Sequence, residues 1–246
     1  MSTAAAELSH RVDDIRAAVA ACVRASELRS DPSPHIFIEG IFPADFYRAL
    51  MAHFPADGIY VNVDRSGNPH GRHRRRVNLT RDMERIDPSA RAYWHTVRES
   101  IASPEFVTAL YDKFAAPLAQ RYGSKFPDVR VRLELMRDSS GYAIGPHTDA
   151  PHKVFTGLFY LPADNSQADL GTSMYAPKEA GFVDDSGRQY PFELFEECTK
   201  IPFVPNSLFL FMKTQNSFHG RCELPEGIAP RNWMNCSVQI ASSFTL

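Results

Sequence analysis

The spacing of apolar residues changes near residue 127, and this change constrains the fold more than any other feature of the chain. Upstream, apolar residues recur every three or four positions, as on the face that runs from Leu8 to Val23, which is the periodicity of amphipathic helices. Downstream, residues 129–135 (VRVRLEL) alternate strictly between apolar and charged, the pattern of a strand with one buried face. The sequence therefore predicts an α+β chain in which helices precede antiparallel strands.

Further strands are expected downstream. Short apolar runs at 154–161, 207–212 and 233–241 are separated by turns rich in Gly, Pro, Asn and Asp. The connection 177–202 carries few strand signals, and we expect it to be an insertion near the mouth of a barrel. Strands of this kind, packed against helices, indicate a β-barrel or jelly roll.

The upstream half predicts helices joined by loops. A short strand is expected at His35–Glu39, and cap-type residues followed by proline, at positions 87–88 and 103–104, begin two of the helices. The polar stretch 58–81 contains the most basic segment of the chain, Arg72–Arg76. Two interpretations of it stay open, a solvated loop or a lid segment that meets an anionic substrate.

Composition argues against several classes of protein. Lys plus Arg number 27 and Asp plus Glu number 29, so the formal net charge is -2, which disfavours a protein that coats nucleic acid. No apolar run approaches the roughly 18–20 residues that span a membrane, and charged residues appear too early for a signal peptide. Four widely spaced cysteines form neither a disulfide framework nor a zinc site. We therefore expect a cytoplasmic monomer or homodimer with no nucleic-acid or membrane partner.

Three residues have the spacing of a metal site. His147 and Asp149 are two residues apart, so on an extended chain their side chains point the same way. His219 follows 72 residues later, after a predicted strand and a polar turn. Two histidines and one carboxylate on one face leave three coordination positions open, which is the facial triad of non-heme Fe(II) oxygenases.

Arg231 is the candidate for a second part of such a site. An enzyme that chelates iron with a 2-oxo acid also has to hold the far carboxylate of that acid, and a fixed guanidinium pairs with a carboxylate bidentately. Arg231 lies twelve residues after His219 and begins the last predicted strand. Arg221 is the rival candidate, but it lies only two residues after His219, which leaves little room for a bound 2-oxo acid.

These pieces resemble a known family. The segment 129–237 resembles the double-stranded β-helix core of the Fe(II)/2-oxoglutarate-dependent dioxygenases, in particular the prolyl-hydroxylase-like branch of the stand-alone bacterial type. The matching pieces are VRLELMRDSSGYAIGPHTD, TGLFYLP, DLGTSMYAP, NSLFLFMKTQNSFHG and PRNWMNCSV, and PHIFIEGIFPADFYRALMAHFP resembles the helical N-terminal portion. The resemblance implies one domain, with a helical buttress and lid region at 1–126 and a jelly-roll core at 127–246.

The resemblance also implies a set of ligands. Iron would be held by His147, Asp149 and His219, and the cosubstrate 2-oxoglutarate by Arg231, with O2 as the second cosubstrate. Tyr160 lies in the strand after the metal motif, His147–Asp149. By this position it resembles a residue that hydrogen-bonds the far carboxylate of 2-oxoglutarate, although a core aromatic is an equal alternative. The long connection 177–202 and the long turn after His219 depart from the family pattern.

Substrate contacts are predicted from charge and position. Arg132 and Glu134 lie on the polar face of the strand before the metal motif, where they either line a pocket or pair with each other. Tyr142 lies between that strand and the metal motif. Arg74 and Arg75, in the basic segment, would suit a carboxylate, phosphate or sugar-acid group.

The implied reaction is hydroxylation of an unactivated C–H bond in a small polar molecule, such as a natural product, amino acid or sugar, with release of succinate and CO2. Asp149 stands where halogenating relatives have a small residue, so halogenation is disfavoured. The alternatives with the same cofactors are desaturation, cyclisation, epimerisation and peptidyl hydroxylation. Two other classes stay open, a cupin-like metal-binding isomerase and a non-catalytic ligand-binding barrel.

Overall fold

The computed structural model describes residues 3–63 and 71–241. Its five α-helices all precede the strand that begins at Val129, as the periodicity predicts. Two of them begin at proline after a capping residue, where the side chains of Asp87 and Ser103 accept hydrogen bonds from backbone N–H groups of the first turn. The helices are α1 (Thr3–Ala25), α2 (Ala44–Ala52), α3 (Pro88–Ile101), α4 (Pro104–Lys113) and α5 (Ala115–Tyr122). None of these described helices combines the length and apolarity that crossing a bilayer requires.

The strands form two antiparallel sheets. The larger sheet has the order β1-β9-β6-β11-β4-β3-β2, and the smaller has the order β5-β10-β7-β8. The strands are β1 (His35–Glu39), β2 (Val61–Asn62), β3 (Arg74–Asn78), β4 (Val129–Asp138), β5 (Ile144–His147), β6 (Lys153–Tyr160), β7 (Thr172–Pro177), β8 (Phe195–Ile201), β9 (Ser207–Met212), β10 (His219–Arg221) and β11 (Arg231–Ile240).

Each face of the larger sheet has its own core. On the outer face, the helices pack against the alternate residues of β4 and β6, so that Trp94 and Leu110 join Leu135 and Phe159 in one buried cluster. On the inner face, a second cluster joins residues of the larger sheet, such as Trp233, to residues of the smaller sheet. The helices therefore buttress a jelly-roll core, as the sequence predicts, because alternation on β4 and β6 gives each sheet surface a different partner.

The basic stretch 58–81 differs from its prediction. In its described part it forms β2 and β3, and β3 pairs with β4 from Arg74 opposite Asp138 to Asn78 opposite Glu134. The first half of the chain thus contributes three strands as well as helices. Hydrophobic periodicity does not reveal β3 because its arginines pair with acidic residues instead of entering an apolar core. Residues 64–70 lie outside the described residues.

The connection 177–202 also contains a strand that was not predicted. Its second part forms β8, the edge strand of the smaller sheet, in which only Phe195 and Ile201 are buried. Edge strands are commonly rich in charge, and the three charged residues of β8, Glu196, Glu197 and Lys200, conceal the alternation. The first part of the connection crosses to β5, where the backbone N–H of Tyr190 donates to the carbonyl oxygen of Pro146 at 2.9 Å. The expectation that an insertion lies near the barrel mouth is therefore met by residues 178–194.

Gly171, at the start of β7, offers a test of the packing between β7 and β8. A Cβ atom at this position would lie 1.5 Å from the carbonyl oxygen of Ile201, a backbone atom that cannot move without shifting β8. We expect Gly171→Ala to lower the free energy of unfolding by about 1–3 kcal/mol or more, the cost of overpacking. Gly58→Ala is the matched control, since nothing lies within 4 Å of its Cβ position. Urea unfolding of both variants measures the difference, and equal stabilities would contradict the close approach.

Candidate metal centre and active site

The predicted triad comes together at the junction of β5 and β10. His147 ends β5, His219 begins β10, and the antiparallel pairing of these strands sets the two histidines opposite each other. Asp149 follows β5 directly. One ligand atom from each of the three side chains lies within 4.8 Å of the other two, and all three side chains are buried. The arrangement thus depends on strand register as well as on the two-residue spacing.

Backbone carbonyl groups orient both imidazole rings. The Nδ1 atom of His147 lies 2.9 Å from the carbonyl oxygen of Gly145, and the Nδ1 atom of His219 lies 3.0 Å from that of Ser217. A carbonyl oxygen only accepts hydrogen bonds, so each Nδ1 carries the proton and donates it. The Nε2 atoms are then left as the lone-pair donors that a metal ion requires.

Asp149, the third residue of the triad, is held by two residues that the sequence does not predict. The Nζ atom of Lys153 donates to Oδ1 at 2.6 Å, and the hydroxyl of Thr156 donates to Oδ2 at 2.6 Å. Burial raises the pKa of Asp149, but Lys153 and the two histidines outweigh burial and hold that pKa below its ordinary value. The spacing of Lys153, four residues after Asp149, was a visible signal, whereas Thr156 reaches the site through the inner face of β6.

The histidines favour their neutral, metal-binding form. Burial, followed by the neighbouring His219, lowers the pKa of His147 to about 3. Burial is also the main cause that lowers the pKa of His219. Two neutral imidazoles and one carboxylate on one face are the donor set that suits Fe(II) with open positions. The residues present therefore fit a ferrous ion.

A cavity of about 1070 Å³ opens from the triad between the two sheets. At its inner end lies Arg231, which is 1% exposed and surrounded by partners. Its Nη1 atom donates to Oδ2 of Asp138 at 3.1 Å, and its Nε atom donates to the carbonyl oxygen of Leu170 at 2.8 Å. Phe203 packs over its guanidinium at 4.4 Å. Arg231 thus faces the cavity from a rigid position, with part of its charge offset by Asp138.

Arg221, the rival candidate to Arg231, lies at the same end of the cavity. Its Nη1 atom donates to the carbonyl oxygen of Gly171 at 2.7 Å, its buried Nε atom has no partner, and no carboxylate among the described residues pairs with it. Burial, followed by the nearby Arg231, lowers the pKa of Arg221 to about 10. Because Arg221 is two residues after His219 on an extended strand, both side chains face the cavity. The two-residue spacing from His219, which from the sequence leaves little room for a 2-oxo acid, is thus the signal that places Arg221 in the site.

The other predicted contacts divide into those inside and those outside the cavity. Arg74 lines it, donates twice to Asp138 at 2.6 and 2.9 Å, and lies over the ring of Tyr142, which also lines it. Tyr160 is fully buried beside Arg231, and its hydroxyl accepts a hydrogen bond from the backbone of residue 172. Arg75 lies outside the cavity because β3 alternates, and its guanidinium pairs with Asp57 instead. The predicted substrate contact of Arg75 therefore does not enter the site.

Arg132 and Glu134 line the cavity and pair with each other, so both interpretations of these residues apply. The Oε1 atom of Glu134 accepts from Arg132 and from Arg76, each at 2.7 Å. The sequence does not predict this contact of Arg76, because Arg76 belongs to the basic segment for which a loop or a lid is expected. Its two-residue spacing from Arg74, on one face of β3, was the available signal.

The insertion 178–194 closes one side of the cavity. Residues 186–192 line it, and Arg188 is one of them. A fully buried lysine, Lys213, donates to Oδ1 of Asp185 at 2.6 Å, and the hydroxyl of Thr148 donates to the carbonyl oxygen of Asp184 at 3.0 Å. The insertion is thus tied to the end of β9 and to the residue between the two ligands of the metal motif.

The buried histidines predict how the stability of the metal-free protein depends on pH. Below about pH 6.5 the unfolded chain binds a proton at His147 that the folded chain does not bind, so the folded state loses stability as the pH falls. For His147 the loss is about 2 kcal/mol at pH 5. Urea unfolding in a chelator at several pH values measures it, and His147→Gln should show a shallower slope. An unchanged slope in that variant would contradict the burial of a neutral imidazole.

No protein-family model matches the sequence, and no curated protein matches it. Among solved structures, HygX from Streptomyces hygroscopicus, with nickel, 2-oxoglutarate and hygromycin B bound, is 12% identical, with a TM-score of 0.53 over 88% of this chain and 86% of that chain. A prolyl 4-hydroxylase from Phytophthora capsici is 15% identical, with a TM-score of 0.51 over 94% of this chain and 66% of that chain.

Identities this low establish the architecture and leave substrates open. The matched regions cover 94% and 88% of this chain, so the likeness extends over nearly the whole fold. The chain therefore has the jelly-roll fold of the Fe(II)/2-oxoglutarate-dependent oxygenases, as its sequence resemblance predicts.

Proposed function

We propose that this protein is an Fe(II)- and 2-oxoglutarate-dependent oxygenase that hydroxylates an unactivated C–H bond of a small polar molecule and releases succinate and CO2. The observation that carries the proposal is the buried triad of His147, Asp149 and His219, which opens into a cavity with arginines at its inner end. A structural metal site would be closed by four protein ligands. Three ligands that face a large cavity are the arrangement of a reactive centre.

The roles of the residues follow from their contacts. With O2 as the oxidant, a bound ferrous ion and 2-oxoglutarate would supply the oxidising chemistry: one oxygen atom of O2 would enter succinate as CO2 leaves, and the other would enter the C–H bond of the substrate. The triad holds the ion, and Lys153 and Thr156 fix the carboxylate of Asp149 so that it presents one orientation. The inner arginines hold the far carboxylate of 2-oxoglutarate and thereby orient the cosubstrate along the cavity.

Arg221 and Arg231 share this carboxylate in our proposal. Arg231 is partly neutralised by Asp138, whereas Arg221 has only the carbonyl group of Gly171 as a partner. A buried guanidinium without an anion is costly, so Arg221 is the group whose charge a ligand most effectively satisfies. Tyr160 packs beside Arg231, and we propose that it positions this arginine.

The size of the substrate is inferred from the cavity. The insertion 178–194 is fixed across one side of it, an arrangement that favours a small molecule over a protein chain. The solved structure of HygX contains hygromycin B, a small molecule, beside nickel and 2-oxoglutarate. Hydroxylation is favoured over halogenation because Asp149 leaves no room for a halide beside the metal.

Turnover of 2-oxoglutarate tests the proposal directly. Protein reconstituted anaerobically with Fe(II), then given ascorbate, 2-oxoglutarate and air, should form succinate, and Asp149→Ala should lose at least about tenfold to a hundredfold of this activity through weakened metal binding. Asp112→Ala is the matched control, since Asp112 is exposed and pairs with Arg24 on the helical side. Succinate formation by wild type no greater than by Asp149→Ala would refute the function.

The shared carboxylate site gives a second prediction. Arg221→Gln and Arg231→Gln should each raise the KM for 2-oxoglutarate by roughly tenfold to a hundredfold, because each removes a charge-assisted hydrogen bond. With 2-oxopentanoate, which lacks the far carboxylate, neither variant should differ from wild type. Arg75→Gln, which alters an arginine outside the cavity, serves as the control. A normal KM in Arg221→Gln would remove this residue from the carboxylate site.

A further inference from the structure

The cavity carries far more positive charge than the chain as a whole. Seven Lys and Arg side chains line it, and five of them pair with three carboxylates, those of Asp138, Glu134 and Asp149. The other two, Arg188 and Arg221, have no carboxylate partner among the described residues. The described wall of the cavity therefore has an excess of four positive charges, although the formal net charge of the chain is -2.

The metal and the cosubstrate do not remove this excess. The two histidine ligands are neutral, a ferrous ion adds two positive charges, and 2-oxoglutarate adds two negative charges. These contributions cancel, so the excess stays at four when the proposed site is filled. Charge in a cavity walled by protein attracts a counter-ion more strongly than the same charge on an open surface.

The positive charge lies at two separate places. Arg231 is opposite Asp138 in the pairing of β11 with β4, and Ser237 is opposite Arg132. Asp138 follows Arg132 by six positions along β4, which corresponds to roughly 20 Å at the rise of an extended strand. Thr156, which donates to Asp149, is also opposite Ser237, so Arg132 lies level with this residue of the triad and far along β4 from the position opposite Arg231. One five-carbon diacid does not reach both places.

Arg132 has the free hydrogen-bonding capacity of an anion site. Only its Nη2 atom is used within the described structure, in the contact with Glu134, and its side chain is 39% exposed. Glu134 also pairs with Arg76, so its single negative charge is shared between two arginines. This arrangement holds the guanidinium of Arg132 in place and leaves one positive charge uncompensated.

A polar neighbour adds a second contact point. Asn235 lies on β11 opposite Glu134, lines the cavity, and its side chain makes no hydrogen bond to any described residue. An amide both donates and accepts, so Asn235 suits a hydroxyl or amino group of the same ligand.

We propose that the molecule oxidised by this protein is a small organic anion whose carboxylate or phosphate group binds the guanidinium of Arg132. The inference rests on the oxygenase function proposed above. A hydroxyl or amino group of the same molecule binds Asn235, and Arg188 adds a further positive charge from the insertion 178–194. Hydroxy acids, amino acids, sugar acids and phosphate esters have this chemistry, whereas neutral sugars and apolar compounds do not.

Inorganic phosphate is the probe for the anion site. Wild-type protein loaded with nickel and saturating 2-oxoglutarate, at fixed ionic strength, should bind phosphate in a calorimetric titration. Arg132→Gln should weaken that binding by roughly tenfold to a hundredfold, and Arg132→Lys, which keeps the charge, should weaken it less. Arg130→Gln is the matched control, because it removes the same charge two residues away on the same strand without touching the cavity lining.

Three results of the titration would overturn the inference. The first is wild-type protein that binds no phosphate while 2-oxoglutarate is bound. The second is an equal loss of phosphate affinity in Arg130→Gln and Arg132→Gln, which would indicate that the overall positive charge, and not Arg132 itself, attracts the phosphate. Phosphate that binds only without 2-oxoglutarate, and is lost in Arg221→Gln, would be occupying the cosubstrate site. Absence of 2-oxoglutarate binding in wild type is a different result, since it contradicts the proposed function itself.

Matched pairs of compounds identify the anionic group. Succinate formation is measured with amino and hydroxy acids beside their amides, and with sugar phosphates beside their parent sugars. Stimulation by the acids assigns a carboxylate, and stimulation by the phosphate esters assigns a phosphate. Stimulation confined to the neutral member of each pair would contradict an anionic substrate.

Discussion

The inner end of the cavity depends on one buried carboxylate, that of Asp138. It accepts hydrogen bonds from Arg74 on β3, from Arg231 on β11 and from the indole of Trp233, and it is fully inaccessible to solvent. Burial raises its pKa, but the adjacent arginines, Arg74 first among them, outweigh burial and hold it below the ordinary value. Removing one partner of such a network leaves a buried charge uncompensated. Asp138 therefore joins three strands and determines how much positive charge Arg231 presents to a ligand.

This interaction explains which parts of the fold the sequence predicts. The helices and the strands β4, β6, β9 and β11 bury apolar residues at regular intervals, so hydrophobic periodicity identifies them. The strand β3 joins the same sheet through arginines that pair with Asp138 and Glu134, and β8 is an exposed edge. Neither strand shows a regular spacing of apolar residues, because β3 is rich in paired arginines and β8 is exposed at the edge. Only the three-dimensional contacts reveal these two strands.

The residues of the site also divide into those that the sequence predicts and those that only tertiary contacts reveal. The triad is predictable because a two-residue spacing fixes the relative direction of His147 and Asp149. His219 is predictable because it follows a later predicted strand and a polar turn. The relation between Arg221 and Arg231 was not predictable, because it depends on which arginine a remote carboxylate neutralises. Spacing along the chain favoured Arg231. The tertiary contacts show that Arg221 is the one without a carboxylate partner among the described residues.

Charge distribution also separates the two ligands that such a site has to bind. An overall charge near zero conceals a cavity with an excess of four positive charges. If all of that charge lay at the inner end, an anionic substrate would compete with 2-oxoglutarate for the same arginines. The strand β4 avoids this competition. Asp138, which binds Arg74 and Arg231, lies at one end of β4, and Arg132 lies near the other end, roughly 20 Å along the strand. In our proposal two anions then bind together, one at the inner end of the cavity and one at Arg132, and Arg132 discriminates among substrates without weakening the binding of the cosubstrate.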